Sequence, residues 1–238
     1  MNGTELIVRH SFAPNRLRYC GANDLSHQIP FFLQSHSASL EKELQNELKT
    51  FKGLYSYLSL IATENKLSPF DARVAESYWL GNELLEKIRV ESVRKMFLEK
   101  FSREDFWGKG LATELAANLP THFFCHHSFH VFFAHFFTQS VPVSLSTLDS
   151  CRISIGKTLE VNPTSLTVEF EPLRFENERL FLGKKAEKTV EKPFPDSVGI
   201  GDFVSFHWNA CCMKLSEKQQ ENLEYFTGAN LKAVNSLH

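Results

Sequence analysis

A chain of 238 residues, 42% of them hydrophobic and 23% charged, has enough apolar surface for one large domain or two small ones and is not a disordered chain. Its formal charge of -2 offers no basic surface for nucleic acid or for an anionic membrane. No apolar run approaches a bilayer span, and Met1-Asn2-Gly3-Thr4-Glu5 lacks the basic and apolar regions of a signal peptide, so a cytoplasmic protein is expected, with no nucleic-acid or membrane partner. The cysteines, at positions 20, 125, 151, 211 and 212, include no CxxC pair and read as free thiols in a reducing compartment.

Residues 1–34 read as irregular, with a short helix near Thr4 to Phe12 and turn chemistry at Pro14-Asn15 and at Cys20-Gly21-Ala22-Asn23-Asp24. Tyr19-Cys20-Gly21 is a candidate functional loop; a small buried thiol beside a turn glycine is the alternative. Ser37 or Ser39 caps a helix running to about Glu64, with Leu40, Leu44, Leu48, Phe51, Tyr55 and Leu58 on one apolar stripe. Ser68-Pro69-Phe70-Asp71 starts another, with serine as cap, proline at the first helical position and the acid at the third. It carries Val74, Tyr78, Trp79, Leu80, Leu84 and Leu85 to about Val90; Glu76 within it is a ligand or a paired carboxylate. The helical pattern continues through Val93, Phe97 and Phe101, is capped again at Ser102-Arg103-Glu104-Asp105, and returns over Leu111 to Leu119.

From Thr121 to Thr138 histidines and phenylalanines alternate. His122, His126, His127, His130 and His135 surround Cys125, and seven phenylalanines (123, 124, 129, 132, 133, 136, 137) make the segment apolar nearly all round. On a helix, His122 with His126, and His126 with His130, share a face, and His127 lies one turn from His130. Two imidazoles so spaced can hold one metal, but no glutamate stands where a zinc protease needs one. The helix is expected to be central, and buried histidines there are either neutral and hydrogen-bonded or coordinate a metal, a haem or a small gas ligand. His127-Ser128-Phe129-His130 is the strongest part of it.

Beyond 139–147 the pattern turns to strands: Thr158 to Val161, Ser165 to Phe170 after an Asn162-Pro163-Thr164 turn, one or two strands over Leu173 to Gly183, and Gly201 to Phe206. Lys184 to Pro195, charged and proline-containing, reads as a loop or a frayed edge. Ser216-Glu217-Lys218-Gln219 is a capping box opening a last helix with Leu223, Phe226 and Leu231 on its apolar face. The expected class is α+β: an all-helical domain over 1–145, then over 146–238 a small β-barrel and a C-terminal helix.

Cys151 opens a predicted strand that contains Gly156-Lys157. Gly201-Asp202-Phe203-Val204 runs to His207, and Lys214-Leu215 leads into the glutamate-rich helix. In order and spacing, from about Cys151 to Leu223, these blocks resemble the HypC/HupF family of hydrogenase-assembly chaperones. The resemblance implies an OB-fold-like barrel and a metallochaperone rather than an enzyme. It implies Cys151 as thiolate ligand, and His207 as second ligand or hydrogen-bond partner, of an iron carrying cyanide and carbon monoxide. It implies an assembly scaffold protein and a hydrogenase large-subunit precursor as partners. Thiolate and imidazole suit low-valent iron on their own chemistry as well. Trp208 could shield such a site or simply pack at the barrel edge. Against the family pattern, the cysteine is internal, Ile155 stands where proline is frequent, and a helical extension precedes the barrel. The whole chain also resembles uncharacterised bacterial proteins that share the Tyr19-Cys20-Gly21 loop, Tyr78-Trp79-Leu80-Gly81-Asn82 and His127-Ser128-Phe129-His130.

Three functions remain open from the sequence. One is a hydrogenase-maturation factor acting through Cys151 and His207. Another is a metal- or haem-dependent enzyme built on Cys125, His126, His127 and His130. The third is an adaptor without chemistry. Metal lost only on changing His127 and His130 would point to the enzyme, and whether either histidine reaches toward Cys151 is the first distance to measure.

Overall fold

The computed structural model describes residues 1–102, 108–134 and 144–237. Arg103-Glu104-Asp105 of the expected cap, His135 to Thr138 of the histidine segment and residues 139–143 of the linker lie outside the described residues.

The N-terminal segment is more regular than its turn residues suggest. Asn2 caps helix α1 (Gly3–Arg16) by accepting the Glu5 amide at 2.8 Å. The helix is buried on nearly all sides from Gly3 to Asn15, so tertiary packing overrides the turn signal of Pro14-Asn15 and Pro14 stays inside the helix. A short helix α2 (Gln28–Ser35) follows.

The single helix expected from Ser37 to Glu64 is two, α3 (Ala38–Leu48) and α4 (Lys52–Asn65). At the break, the Thr50 hydroxyl donates to the Glu47 carbonyl at 2.7 Å, a local bond that competes with the helix ladder. Buried Phe51 turns in beneath Gly21, where a Cβ would come within 2.3 Å of its ring.

Helix α5 (Ala72–Trp79) is capped by Asp71, not Ser68, whose hydroxyl instead accepts the Phe70 amide in a local turn. It ends at Trp79 and not near Val90, because the amides of Leu80 and Gly81 both close on the Glu76 carbonyl and Gly81 takes a φ of 89°. A 3₁₀ turn (Glu83–Lys87) leads to α6 (Val90–Met96), which widens into a π-helical turn (Phe97–Phe101), and then comes α7 (Gly108–Ala117). The histidine segment is not helical from its start. Thr121 to His126 are irregular, and helix α8 (His127–Phe129) passes into a π-helical turn (His130–Ala134). Cys151 closes helix α9 (Leu145–Cys151) instead of opening a strand.

Seven strands follow: β1 (Ser154–Val161), β2 (Ser165–Phe170), β3 (Leu173–Glu176), β4 (Arg179–Leu182), β5 (Ala186–Glu191), β6 (Phe203–His207) and β7 (Ala210–Lys214). Five of them pair in the order β1-β2-β5-β7-β6, and β6 also pairs with β1, which closes the sheet. β3 and β4 form a separate two-stranded sheet.

The segment read as a frayed loop is therefore strand β5, in full register with β2 from Ser165↔Glu191 to Phe170↔Ala186. Its charges hide the alternation, because Val190 is its one fully buried side chain. Strand β7, with no sequence signal of its own, is made by a tight hairpin. Trp208 and Asn209 both take positive φ, 48° and 62°, the conformation of a two-residue primed turn.

The last helix, α10 (Glu217–Asn235), opens on the expected capping box. Leu166, Val168, Val190, Val204 and Phe206 fill the closed sheet. Ile153, Met213 and Leu215 pack instead in the larger core of the helices, so the sheet's outer wall and the helices share one apolar interior.

Candidate metal centre

Helix α1 crosses the outside of the closed sheet at β6 and β7. Arg9 donates to the Cys212 carbonyl at 3.3 Å, and His10 Nε2 meets the Ser205 hydroxyl at 3.2 Å. Pro14 has no amide hydrogen, so the helix supplies no ladder donor to the His10 carbonyl one turn earlier. That carbonyl accepts from His207 Nδ1 at 2.6 Å. A carbonyl can only accept, so His207 carries its proton on Nδ1 and, in the neutral ring, its lone pair on Nε2. A proline inside a helix thus orients the imidazole at the end of β6.

Two adjacent histidines then take opposite roles. His126 is the N-cap of α8: Nδ1 accepts the Ser128 amide at 3.1 Å, and Nε2 donates to the Trp79 carbonyl at 3.2 Å. The cap turns His127 the other way. Its Nε2 donates to the Cys151 carbonyl at 2.9 Å, and its Nδ1 takes the Tyr78 hydroxyl at 3.0 Å. Meanwhile the Trp208 amide donates to the Ser150 carbonyl at 2.8 Å, which ties the β6–β7 hairpin to the end of α9. Cys151 is thereby brought beside His207.

His127, Cys151 and His207 converge. Their donor atoms all lie within 4.8 Å of one another, and all three side chains are buried. A tetrahedral ion with bonds of about 2.0–2.3 Å holds such donors about 3.3–3.6 Å apart, so ligation would need the group to close by no more than about 1–1.5 Å. To hold a metal, His127 would have to release one of its two hydrogen bonds. If Nε2, on the Cys151 side, is the ligand, the proton moves to Nδ1 and the Tyr78 oxygen accepts it. The donor set, one thiol and two imidazoles, suits zinc, iron or copper and is unsuited to calcium or magnesium.

Burial disfavours the charged form of the imidazoles on the helical side. Burial pushes His127 well below the ordinary histidine range, and neighbouring His207 and His130 add to the effect. His10 and His126 are lowered from 6.5 to about 3, chiefly by burial. Burial raises the Cys151 thiol above the ordinary cysteine range, nearby Cys20 adds to this, and the Trp208 indole N–H opposes it. The thiol is therefore protonated near neutrality until a metal displaces the proton.

Trp79 walls the group. Its indole lies 4.6 Å from the His127 ring and 5.8 Å from the His207 ring, and it stacks on His10 at 5.3 Å. Tyr19 stacks on Trp208 at 4.4 Å, so the Tyr19-Cys20-Gly21 loop lies against the hairpin that carries His207.

The remaining predicted site residues stand outside the trio. His130, its ring 6.2 Å from that of His127, packs edge-on to Tyr57 at 5.2 Å. Cys125 is buried, with its thiol raised by burial, and is not one of the three converging donors. Cys20 is partly buried, its carbonyl held by Asn15 at 2.8 Å and its thiol pushed up to about 12 by burial. His122 is exposed on irregular chain. Glu76 is a paired carboxylate, bonded to Gln219 at 2.7 Å. The sequence reading missed His10, Pro14, Tyr78 and Trp79 as parts of the site. A proline inside an otherwise apolar helix was the one signal that could have drawn attention to the first two.

Fold and site together define a mixed α+β protein with a buried His–Cys–His group capable of holding a metal. Over residues 1–238 the chain matches, and belongs to, a family described as "Family of unknown function (DUF6390)". No curated protein matches the chain, and no solved structure matches it. No helix among the described residues is long and apolar enough to cross a membrane.

Proposed function

We propose that this protein is a metal-centre assembly factor that holds one iron ion at His127, Cys151 and His207. The observation that carries the reading is the convergence of a thiol and two imidazoles from α8, α9 and β6 on one buried point. Cys151 and His207 are the two residues singled out by the resemblance to the HypC/HupF chaperones, and they meet here. The closed five-strand sheet supports an OB-fold-like reading of that half of the chain. Iron is the metal that joins the donor chemistry to that resemblance. Three protein donors leave positions open for the cyanide and carbon monoxide such a cargo carries, and for a receiving partner. On this reading the partners are an assembly scaffold and a hydrogenase large-subunit precursor, and the place is the cytoplasm.

One observation favours a second reading, a metal-dependent enzyme. The third donor and its Tyr78 partner come from the helical part, and the group is buried, as suits a resident cofactor more than a passing cargo.

Metal analysis of purified protein tests the centre. Wild type should carry about one ion per chain, Cys151→Ala and His207→Ala should lose it, and His126→Ala should keep it. Metal retained in Cys151→Ala would remove the basis of both readings. Hydrogenase maturation in a host lacking the native gene then divides them. Full maturation by Cys151→Ala sinks the assembly role, whereas its loss, with infrared bands of cyanide and carbon monoxide on the wild type, supports it.

A further inference from the structure

Trp79 is 3% exposed, and among the described residues no atom accepts its indole N–H. A buried donor left unmade costs about 1–3 kcal/mol, so such a group calls for a partner that the described residues do not supply. The ring stands against both imidazoles of the metal group, at 4.6 Å from His127 and 5.8 Å from His207. The ring's other close neighbours, His10 and Tyr78, are engaged elsewhere. His10 uses both nitrogens on Leu6 and Ser205, and Tyr78 bonds His127.

We propose that the centre formed by His127, Cys151 and His207 takes a small anion as exogenous ligand, and that Trp79 Nε1–H donates a hydrogen bond to that anion. The inference rests on the metal reading above and adds to it a ligand class and a binding residue from the helical part. Three protein donors leave a coordination position open. The buried aromatic walls restrict the occupant to a few atoms. An N–H with no competing acceptor selects a ligand that brings a lone pair beyond its metal-bound atom. Azide, cyanate and thiocyanate have that shape. The Trp79 N–H acts on the bound ligand while its ring walls the imidazoles, so phenylalanine, which keeps an aromatic wall and removes the N–H, separates the two roles.

Cobalt(II) loading followed by azide titration, read from the visible absorption of the cobalt centre, tests the proposal. Wild type should bind cobalt and then azide. Trp79→Phe should still load with cobalt, and its cobalt form should bind azide about tenfold to a hundredfold more weakly, the range for a hydrogen bond to a charged group. Equal azide affinity in the two proteins, or a cobalt form that takes no azide, overturns the proposal and leaves the metal site standing. A protein that takes up no cobalt overturns both. Should Trp79→Phe fail to fold, the zinc-loaded wild type gives the answer by nuclear magnetic resonance. The ¹⁵N–¹H signal of the Trp79 indole should move downfield when azide is added, and an unmoved signal refutes the bond.

Discussion

The helices and the closed sheet bury different things. Inside the sheet the core is mostly aliphatic and aromatic carbon, with the Cys211 thiol and the hydroxyls of Ser154 and Thr158, which the register sets beside Phe206 and Val168. The helical side buries His10, Asn15, Asn82, His126, His127, Ser128 and Asn230 among its aromatic rings, and these are tied into hydrogen bonds. Asn230 of α10, for example, bonds both backbone groups of Phe124 and the Ser128 hydroxyl, and so holds the approach to α8 in place. The difference teaches where each part of the site comes from. The end of β6 and the helix leading into β1 present His207 and Cys151. The polar helical interior supplies the third donor and the groups that aim the rings. Two donors alone would be a loose pair; His127 and the His10 carbonyl turn them into a defined group.

Acid should break this contrast most strongly. His10 and His126 have folded values of about 3 against 6.5 when unperturbed, and His127 is lowered in the same direction. As pH falls below about 6.5 the unfolded chain takes up protons that the folded chain refuses. Their contribution is therefore whole above that pH and declines toward pH 3. Each histidine held neutral adds a slope of about 1 kcal/mol per pH unit over that window. Urea unfolding of metal-free protein at pH 7, 6 and 5 should show the midpoint fall steeply. Hydrogen exchange should lose protection in α1 and α8 before β1 and β2. A flat midpoint would mean that the helical histidines are not held neutral.

Two glycines sharpen the comparison at smaller scale. Gly81, at the end of α5, has a φ of 89°, and an added Cβ would lie 2.0 Å from the buried ring of Phe226. Gly201, before β6, has a φ of 88° with nothing within 4 Å. Gly81→Ala should cost about 2–5 kcal/mol, from backbone strain and a displaced core ring, and Gly201→Ala about 1–2 kcal/mol from strain alone. Thermal or chemical unfolding of the two variants reads the difference. Equal losses would mean that the helical core yields as easily as open solvent.

Much of the frame was legible in the chain. The capping box at Ser216 and the alternation of β2 depend on local chemistry, and each appears where the residues put it, whereas the nearness of Cys151 to His207 was implied only by the family resemblance. What stayed hidden depends on contacts made at a distance. His126 and His127 are indistinguishable in sequence; one caps a helix and the other reaches Cys151 because of Trp79, Tyr78 and α9. The break between Leu48 and Lys52 falls within a continuous apolar stripe, and β5 was masked by charges that face solvent. Pro14 read as a turn because its local preference is for one, yet the burial around it keeps it helical.

That proline gives the smallest effect and the most specific one. In Pro14→Ala the new amide can bond the His10 carbonyl and compete with His207 for it. An interior proline is about 3 kcal/mol less favourable in a helix than alanine, so the apo protein should be as stable as wild type or more so. Metal affinity should move the opposite way. A group that orients a ligand is worth about tenfold to a hundredfold in binding, and a shared carbonyl should forfeit the lower end of that, about tenfold. Paired measurements of urea stability and metal dissociation constant on the same variant decide it. A stabilised helix with weakened metal binding means that α1 aims His207 through the His10 carbonyl. Unchanged affinity would show that β6 sets the ring by itself, and that the helical side contributes only the third donor.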